Sequence, residues 1–505
     1  MFEIAELGHS VKKSEYQEKV SLLRTQLLLA QQQLKSCDFP VIILISGVDG
    51  GGKGEVINLL NEWMDPRYMR TVAFDEPSDE ERERPDFWRF WRTLPPKGSI
   101  GIYVGSWYSE PLAQRVYQET GDNQLQVQLM HIRQLEQLLT DDGALIIKCW
   151  LHLKKEEQKK RLKSLQKNPE TQWRVTDKDR KHLELYDEFV SVAEKVLTET
   201  STAFAPWLIV EGSDIRYSSL TVGQHILNRI DQHIAQREAL NQLHKESNWQ
   251  TINHVSQQSL LDALDLSLQL EKKDYKRELE KYQGRINKLV RQACQLKRSS
   301  ILVFEGWDAG GKGGAIRRLT HAIDARHYQV ISVGAPTDEE RAHHYLWRFW
   351  RHIPRAGKVT IYDRSWYGRV LVERVEGFAS HQEWQRAYSE IVNFEEALVD
   401  HGIVLLKFWL HIDKDEQLRR FKEREQISYK QHKITEEDYR NREKWDDYKK
   451  AVNEMIARTS TSRAPWILVE GNDKYYARIK VLKAYCERME KMLDEYEKEH
   501  DKEKG

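Results

Sequence analysis

One block of sequence is written twice in this chain. Gly47-Val48-Asp49-Gly50-Gly51-Gly52-Lys53-Gly54 returns 259 residues later as Gly306-Trp307-Asp308-Ala309-Gly310-Gly311-Lys312-Gly313. The same offset carries Trp88-Arg89-Phe90-Trp91-Arg92 onto Trp347–Arg351, and Ser106-Trp107-Tyr108 onto Ser365-Trp366-Tyr367. It also carries Lys148–His152 onto Lys407–His411, and Ala205-Pro206-Trp207 onto Ala464-Pro465-Trp466. Motifs recurring at one constant spacing mean a tandem duplication, in which a single supersecondary plan must fold twice. The copies are placed at 12–245 and 270–495, with a polar linker over 246–269 and a charged, frayed tail from Glu497 to Gly505.

Within the second copy the repeated block has a strand-and-helix setting. Ser300 to Phe304 is an apolar run of strand length, and Ala315 to His321 begins a helical pattern. Between them lies G-x-x-x-x-G-K, the phosphate-cradling loop of P-loop proteins. Gly306, Gly310, Gly311, Gly313 and Gly314 let backbone N–H groups close on an anion. The helix N-terminus adds partial positive charge, and Lys312 supplies a full one. Gly313 stands where such loops usually carry the Ser or Thr that holds Mg²⁺, so the metal needs other oxygen ligands. Asp308, inside the loop, is the nearest.

The remaining pattern predicts strands at Ser300–Phe304, Gln329–Val333, Val359–Asp363, Val404–Leu410 and Trp466–Glu470, with helices between them. Near-continuous Val, Ile and Leu in such runs predicts an α/β fold with a parallel sheet covered on both faces. An amphipathic helix opens each copy, Glu15–Lys35 and Tyr275–Gln295, and reads as a packing helix. In parallel sheets ligands sit beyond the carboxyl ends of the strands, where both the loop and Asp363 fall.

Val359–Asp363 ends in an acid, the place of the second metal-anchoring carboxylate of a P-loop protein, with a helix N-cap as the plainer reading. Arg364, Arg369 and Arg374 follow it, and guanidinium groups pair bidentately with phosphate oxygens. Trp347 and Trp350 read as core, while Arg348 and Arg351 could line an anion groove or simply be solvated. Asp413–Tyr448 is charged and poor in apolar residues, including Arg419, Arg420, Arg424, Lys430, Lys433, Arg440, Arg442 and Lys444. It is read as a lid that swings cations over phosphates and excludes water, against a plain solvated hairpin.

Composition removes several classes. Lys plus Arg equals Asp plus Glu at 79 each, so a chain basic all over, as a general nucleic-acid binder would be, is excluded. Four scattered cysteines (Cys37, Cys149, Cys294, Cys486) form no C-x-x-C pair and argue for a reducing compartment without a zinc site. No apolar run reaches transmembrane length and Met1–Val20 lacks a signal-peptide core, so a cytoplasmic protein with no membrane partner is expected.

Glu305–Gly314, Leu346–Arg351, Asp363-Arg364-Ser365-Trp366-Tyr367, Lys407–His411 and Ala464-Pro465-Trp466 together resemble the family-2 polyphosphate kinases, across the second copy and most of the first. Two fused copies are similar to the subgroup acting as polyphosphate:AMP phosphotransferases. The resemblance implies two tandem P-loop kinase-like domains with helical lids, Mg²⁺ as cofactor, and inorganic polyphosphate and AMP or ADP as partners. It implies catalytic roles for Lys312, Asp308, Asp363 and Arg364, with Asp308 and Asp363 on the metal, and places Arg420 and Arg424 in the lid. A polyphosphate:nucleoside diphosphate kinase and an ATP-dependent nucleotide kinase stay open as alternatives.

The copies are unequal. Asp49 and Lys53 persist in the first, but Asp363 becomes Val104, Arg364 becomes Gly105, Arg369 becomes Glu110, Gly314 becomes Glu55 and Arg424 becomes Leu165. A Val cannot bind Mg²⁺, and Glu110 places negative charge near a phosphate site. The first copy is therefore expected to be catalytically dead. If one-copy relatives pair through equivalent surfaces, the fused copies form an internal pseudo-dimer and two chains a pseudo-tetramer.

Overall fold

Ten strands account for the predicted pattern, five in each of two parallel sheets. The computed structural model describes residues 1–246, 259–426 and 436–504. Half of the expected linker, at 247–258, lies outside the described residues, as do Lys430 and Lys433 of the expected lid.

In the first copy the strands are β1 (Val41–Gly47), β2 (Met69–Ala73), β3 (Ile100–Val104), β4 (Leu145–His152) and β5 (Trp207–Glu211), in the order β2-β3-β1-β4-β5. In the second they are β6 (Ser300–Gly306), β7 (Tyr328–Ser332), β8 (Val359–Asp363), β9 (Val404–His411) and β10 (Trp466–Glu470), in the order β7-β8-β6-β9-β10. The strand feeding the Gly-rich loop is thus central in both. Every residue of β9 is buried, whereas β7 at the edge is largely exposed, as its polar Gln329 and Ser332 allow. The predicted strands fall within two residues of these limits.

Helices cover the sheets. α1 (Lys13–Leu34) and α2 (Lys53–Trp63) belong to the first copy, and α3 (Lys272–Gln295) and α4 (Lys312–Thr320) open the second. The packing role expected for the opening helices holds: Tyr282, Ile286, Leu289, Val290 and Ala293 on α3 recur at helical spacing and enter one core with Leu302, Phe304 and Leu406. Further on come α5 (His381–Asp400), α6 (Lys414–Glu425), α7 (Glu436–Glu443), α8 (Trp445–Thr459) and α9 (Lys474–Lys504). The tail expected to fray continues α9 to Lys504, as a run rich in Glu and Lys, both good helix formers, allows. The chain forms two compact units. The first is Met1–Pro77, Arg89–Thr251 and Asp338–His344, and the second is Ser78–Trp88, Ile252–Thr337 and Tyr345–Gly505.

One repeated motif is explained by a buried ion pair. Lys407, on β9 and fully buried, donates to Glu395 Oε2 on α5 (2.7 Å), Thr459 O (2.7 Å) and Tyr367 Oη (3.0 Å). Glu395 Oε1 accepts from Trp366 Nε1 and Tyr367 Oη, so every strong polar group is matched. In the first copy Lys148, Glu136, Thr200 and Tyr108 form the same network with the same three lysine distances. Trp347 and Trp350 are buried, in agreement with their reading as core.

Candidate functional site

The second copy's Gly-rich loop leaves β6 and enters α4 with its backbone in unusual conformations. Gly306 has φ +148°, and a Cβ there would lie 2.5 Å from Leu410 O, so only glycine lets the loop pass this close to β9. Gly311, at φ +112°, caps α4 in the left-handed region. Two non-glycine residues share that region, Ala309 at φ +62° and Arg364 at φ +64°. Their counterparts in the first copy are Gly50 and Gly105, with φ +74° and +66°. The second copy thus carries side chains where they are strained, at roughly 1–2 kcal/mol each.

Arg364 spends that strain on position. Its Nη2 lies 3.2 Å from Asp308 Oδ1, and the register of β6 and β8 sets Phe304 beside Asp363. Asp308 Oδ2 accepts from Asn441 Nδ2 on α7 (3.0 Å), and the Asp308 carbonyl accepts from Gln417 Nε2 on α6 (3.1 Å). Lys312 is folded back onto the carbonyls of Gly306 (2.6 Å) and Trp307 (3.2 Å). Glu305, buried at the end of β6, accepts from Ser365 Oγ (2.7 Å), and burial raises its carboxyl above the ordinary range. Around these groups is a cavity of ≈ 80 Å³ lined by Glu305, Asp308, Arg364, Leu371, Val372, Gln417, Asn441 and Tyr448 among others.

The loop is also held from behind. Trp307 stacks on Trp445 of α8 with centroids 3.7 Å apart and planes 8° apart, and its Nε1 donates to His411 Nδ1 (3.0 Å). His411 must accept there, which fits a ring kept neutral: burial, then the nearby Lys449, push its pKa down to about 4.

The sequence-derived residues divide accordingly. Lys312, Asp308, Asp363 and Arg364 converge at the carboxyl end of the sheet with Gly306, Gly310, Gly311, Gly313 and Gly314. Arg420 does not turn to the pocket. It is buried and donates to the carbonyls of Ala309 (2.9 Å), Gly471 (2.5 Å) and Asn472 (3.0 Å), a brace for the loop backbone. Arg374 is bound to Glu454 and Tyr388 Oη, and Arg369 lies between Glu373 and Glu383 over the Tyr345 ring. Arg348 reaches Gly334 O, and Arg351 stacks over Trp347. Arg424 is half-buried on α6. Asn441, Gln417, Glu305, His411 and Trp445 were not singled out by sequence reasoning. A signal was available for three: at the repeat offset Asn441, Glu305 and Trp445 become His182, Ser46 and Tyr186, differences that accompany Val104 and Gly105 in place of Asp363 and Arg364.

The first copy's loop has a different interior. Lys53 still reaches Gly47 O (2.8 Å) and Val48 O (3.0 Å), and also approaches Asp49 Oδ1 (3.4 Å). His182 Nδ1 is hydrogen-bonded to Asp49, and its Nε2 to Tyr117 Oη (2.6 Å). Burial works to raise the Asp49 pKa, but His182 and Lys53 together hold it well below the carboxylate range. Val104 and Gly105 occupy the end of β3 where the second copy has its acid and arginine.

Among known proteins, the family model for polyphosphate kinase 2 matches the chain twice, over residues 10–238 and 269–497. The polyphosphate:AMP phosphotransferase of Pseudomonas aeruginosa is 51% identical over 492 residues, 97% of this chain and 99% of that one. The polyphosphate:AMP phosphotransferase of Acinetobacter johnsonii is 38% identical over 94% of this chain and 96% of its own length. A crystal structure of a polyphosphate kinase 2 from Pseudomonas aeruginosa, 49% identical, superposes with a TM-score of 0.87 over 98% of this chain and 99% of that one.

Proposed function

This chain belongs to the polyphosphate kinase 2 family, and from that premise we propose that it transfers the terminal phosphoryl group of inorganic polyphosphate to AMP, giving ADP, with the second copy as the working half. One observation carries the reading: likeness to AMP phosphotransferases runs through both copies, while a full set of Lys312, Asp308, Asp363 and Arg364 stands in only one of them.

Phosphoryl transfer requires little covalent chemistry from a protein; positioning and charge neutralisation carry it. Lys312 leaves the Gly306 and Trp307 carbonyls to pair with a phosphate, while the loop N–H groups hold the phosphate from beneath. Arg364 already lines the cavity and adds a second cation; Arg348, Arg351 and Arg424 remain the sequence's candidates for a longer anion. Asp308 and Asp363 would hold Mg²⁺. The fit is favourable on chemistry, for both are hard oxygen donors at one end of the sheet. Among the described residues no three His, Cys, Asp or Glu side chains form a closed cage, which suits an ion that completes its shell with water and phosphate oxygens. When bound, the ion neutralises charge on the transferring phosphoryl group. Stacked Trp307 and buried Arg420 keep the loop from shifting as the substrate changes. No helix among the described residues is long and apolar enough to cross a membrane, and the reading places the protein in the cytoplasm with its nucleotide substrate.

The test is product analysis with purified protein, Mg²⁺, polyphosphate and AMP, for the parent, Asp363→Ala and Asp49→Ala. ADP formation lost in Asp363→Ala and kept in Asp49→Ala is expected. Loss in both would remove the assignment of chemistry to one copy. ADP or ATP serving in place of AMP or polyphosphate would replace the acceptor or the donor.

A further inference from the structure

We infer that Asn441 is a positioning residue that aims the Asp308 carboxylate without neutralising it. The inference deepens the reading above, since it presumes that Asp308 serves phosphoryl transfer in the second copy.

Asp308 is held on three sides by groups from three parts of the chain. Arg364 takes Oδ1, Asn441 takes Oδ2 across 133 residues of sequence, and Gln417 takes the main-chain carbonyl. Asn441 is itself oriented: Tyr448 Oη lies 3.4 Å from its Oδ1, leaving the amide nitrogen turned toward Asp308. A carboxylate meant for a divalent cation needs a fixed direction and its full charge. With Arg364 already paired to Oδ1, a neutral amide N–H on Oδ2 supplies direction without adding a second positive charge, which a Lys, an Arg or a protonated His at the same place would do.

The first copy supplies the contrast. At the position of Asn441 it has His182, hydrogen-bonded to Asp49, while Lys53 approaches the other oxygen. Tyr117, at the position of Glu376, braces the far ring nitrogen. There the acid is engaged by an imidazole, and the neighbouring strand ends in Val104. The two copies place an amide and an imidazole in one role, and the amide goes with the copy that retains the second carboxylate.

The experiment has two arms. In the first, hydrogen exchange of the peptide spanning 436–443 is followed without substrates in the parent, Asn441→Ala, Asp308→Ala and the double variant. Each single change is expected to speed exchange several-fold, and the double change no further, because both break one bond. In the second, ADP formation is titrated with Mg²⁺. Asn441→Ala is expected to raise the Mg²⁺ concentration at half-maximal rate about tenfold, with an unchanged melting temperature. Parental exchange together with parental Mg²⁺ dependence in Asn441→Ala would overturn the inference. So would a loss of rate that tracks a lowered melting temperature and leaves Mg²⁺ dependence unmoved. If the parent makes no ADP from AMP, the functional reading fails on its own, and additive exchange effects of the two single changes would still refute the pairing.

Discussion

Arg364→Gly should leave this protein more stable than Arg364→Ala, the reverse of the usual order. Both variants lose the same guanidinium and the same half-exposed ion pair with Asp308, so they differ only in a Cβ. At an ordinary position Ala is favoured over Gly by roughly 0.4–1 kcal/mol, because Gly has more unfolded freedom to lose. At φ +64° the Cβ costs roughly 1–2 kcal/mol in the folded state. Across those ranges the difference runs from about 0 to about 1.6 kcal/mol in favour of Gly, centred at about 0.8 kcal/mol. In a unit of more than two hundred residues that corresponds to a melting temperature higher by about 1–4 °C, readable by calorimetry and by urea midpoints at constant slope. ADP formation should fall in both variants alike, by about 10²–10³-fold, as for loss of one charged group from a preorganised site. The companion change, Gly105→Ala in the first copy, should cost more, since its Cβ would also lie 2.6 Å from Phe74 O. If Arg364→Ala proves as stable as Arg364→Gly, the left-handed residue stores no strain and the argument fails.

Two further outcomes can be checked on the same protein. Lys407→Met alone, or Glu395→Gln alone, should destabilise the second unit by about 3–5 kcal/mol, because each leaves a buried partner uncompensated; Lys407→Met with Glu395→Leu should recover much of it, as a double-mutant cycle in urea would reveal. His411 should make stability fall with acid. Its folded pKa, about 4, lies below the ordinary value near 6.5, so the unfolded chain takes up the proton first. The contribution, at most about 3 kcal/mol, is whole above pH 6.5 and lost as pH falls toward 4, and His411→Gln should flatten that part of a stability–pH curve.

Much of this architecture was legible from the order of residues, because parallel strands buried on both faces announce themselves as apolar runs. β8 and β10 lie where the pattern puts them, and the loop from Gly306 to Lys312 carries its own glycine requirement. The direction of long side chains was not legible. Arg420 and Arg424 are four apart on α6, yet Arg420 is buried against loop carbonyls, a choice made by Ala309, Gly471 and Asn472 far away in sequence. Arg374 likewise bonds to Glu454 and Tyr388, partners that its sequence neighbourhood does not announce. Nothing local marks Asn441 either, since its partner is 133 residues away, and its one signal is the exchange for His182 at the repeat offset. The αL backbone at Arg364 could not be foreseen from a residue type that normally avoids it, although Gly105 at the same place in the repeat was a hint.

The buried Lys–Glu pair sets a limit on how a duplicated half can decay. Residues at the rim of the first copy's loop, Val104 and Gly105 among them, differ from their counterparts Asp363 and Arg364, and such positions can change one at a time and leave a foldable chain. Lys148 and Glu136 offer no such path, for whichever is replaced first strands the other in the core. A mutational walk can therefore strip the chemistry from a copy and still be blocked from dismantling its interior. The half that lost its second carboxylate keeps the lysine distances of the half that did not.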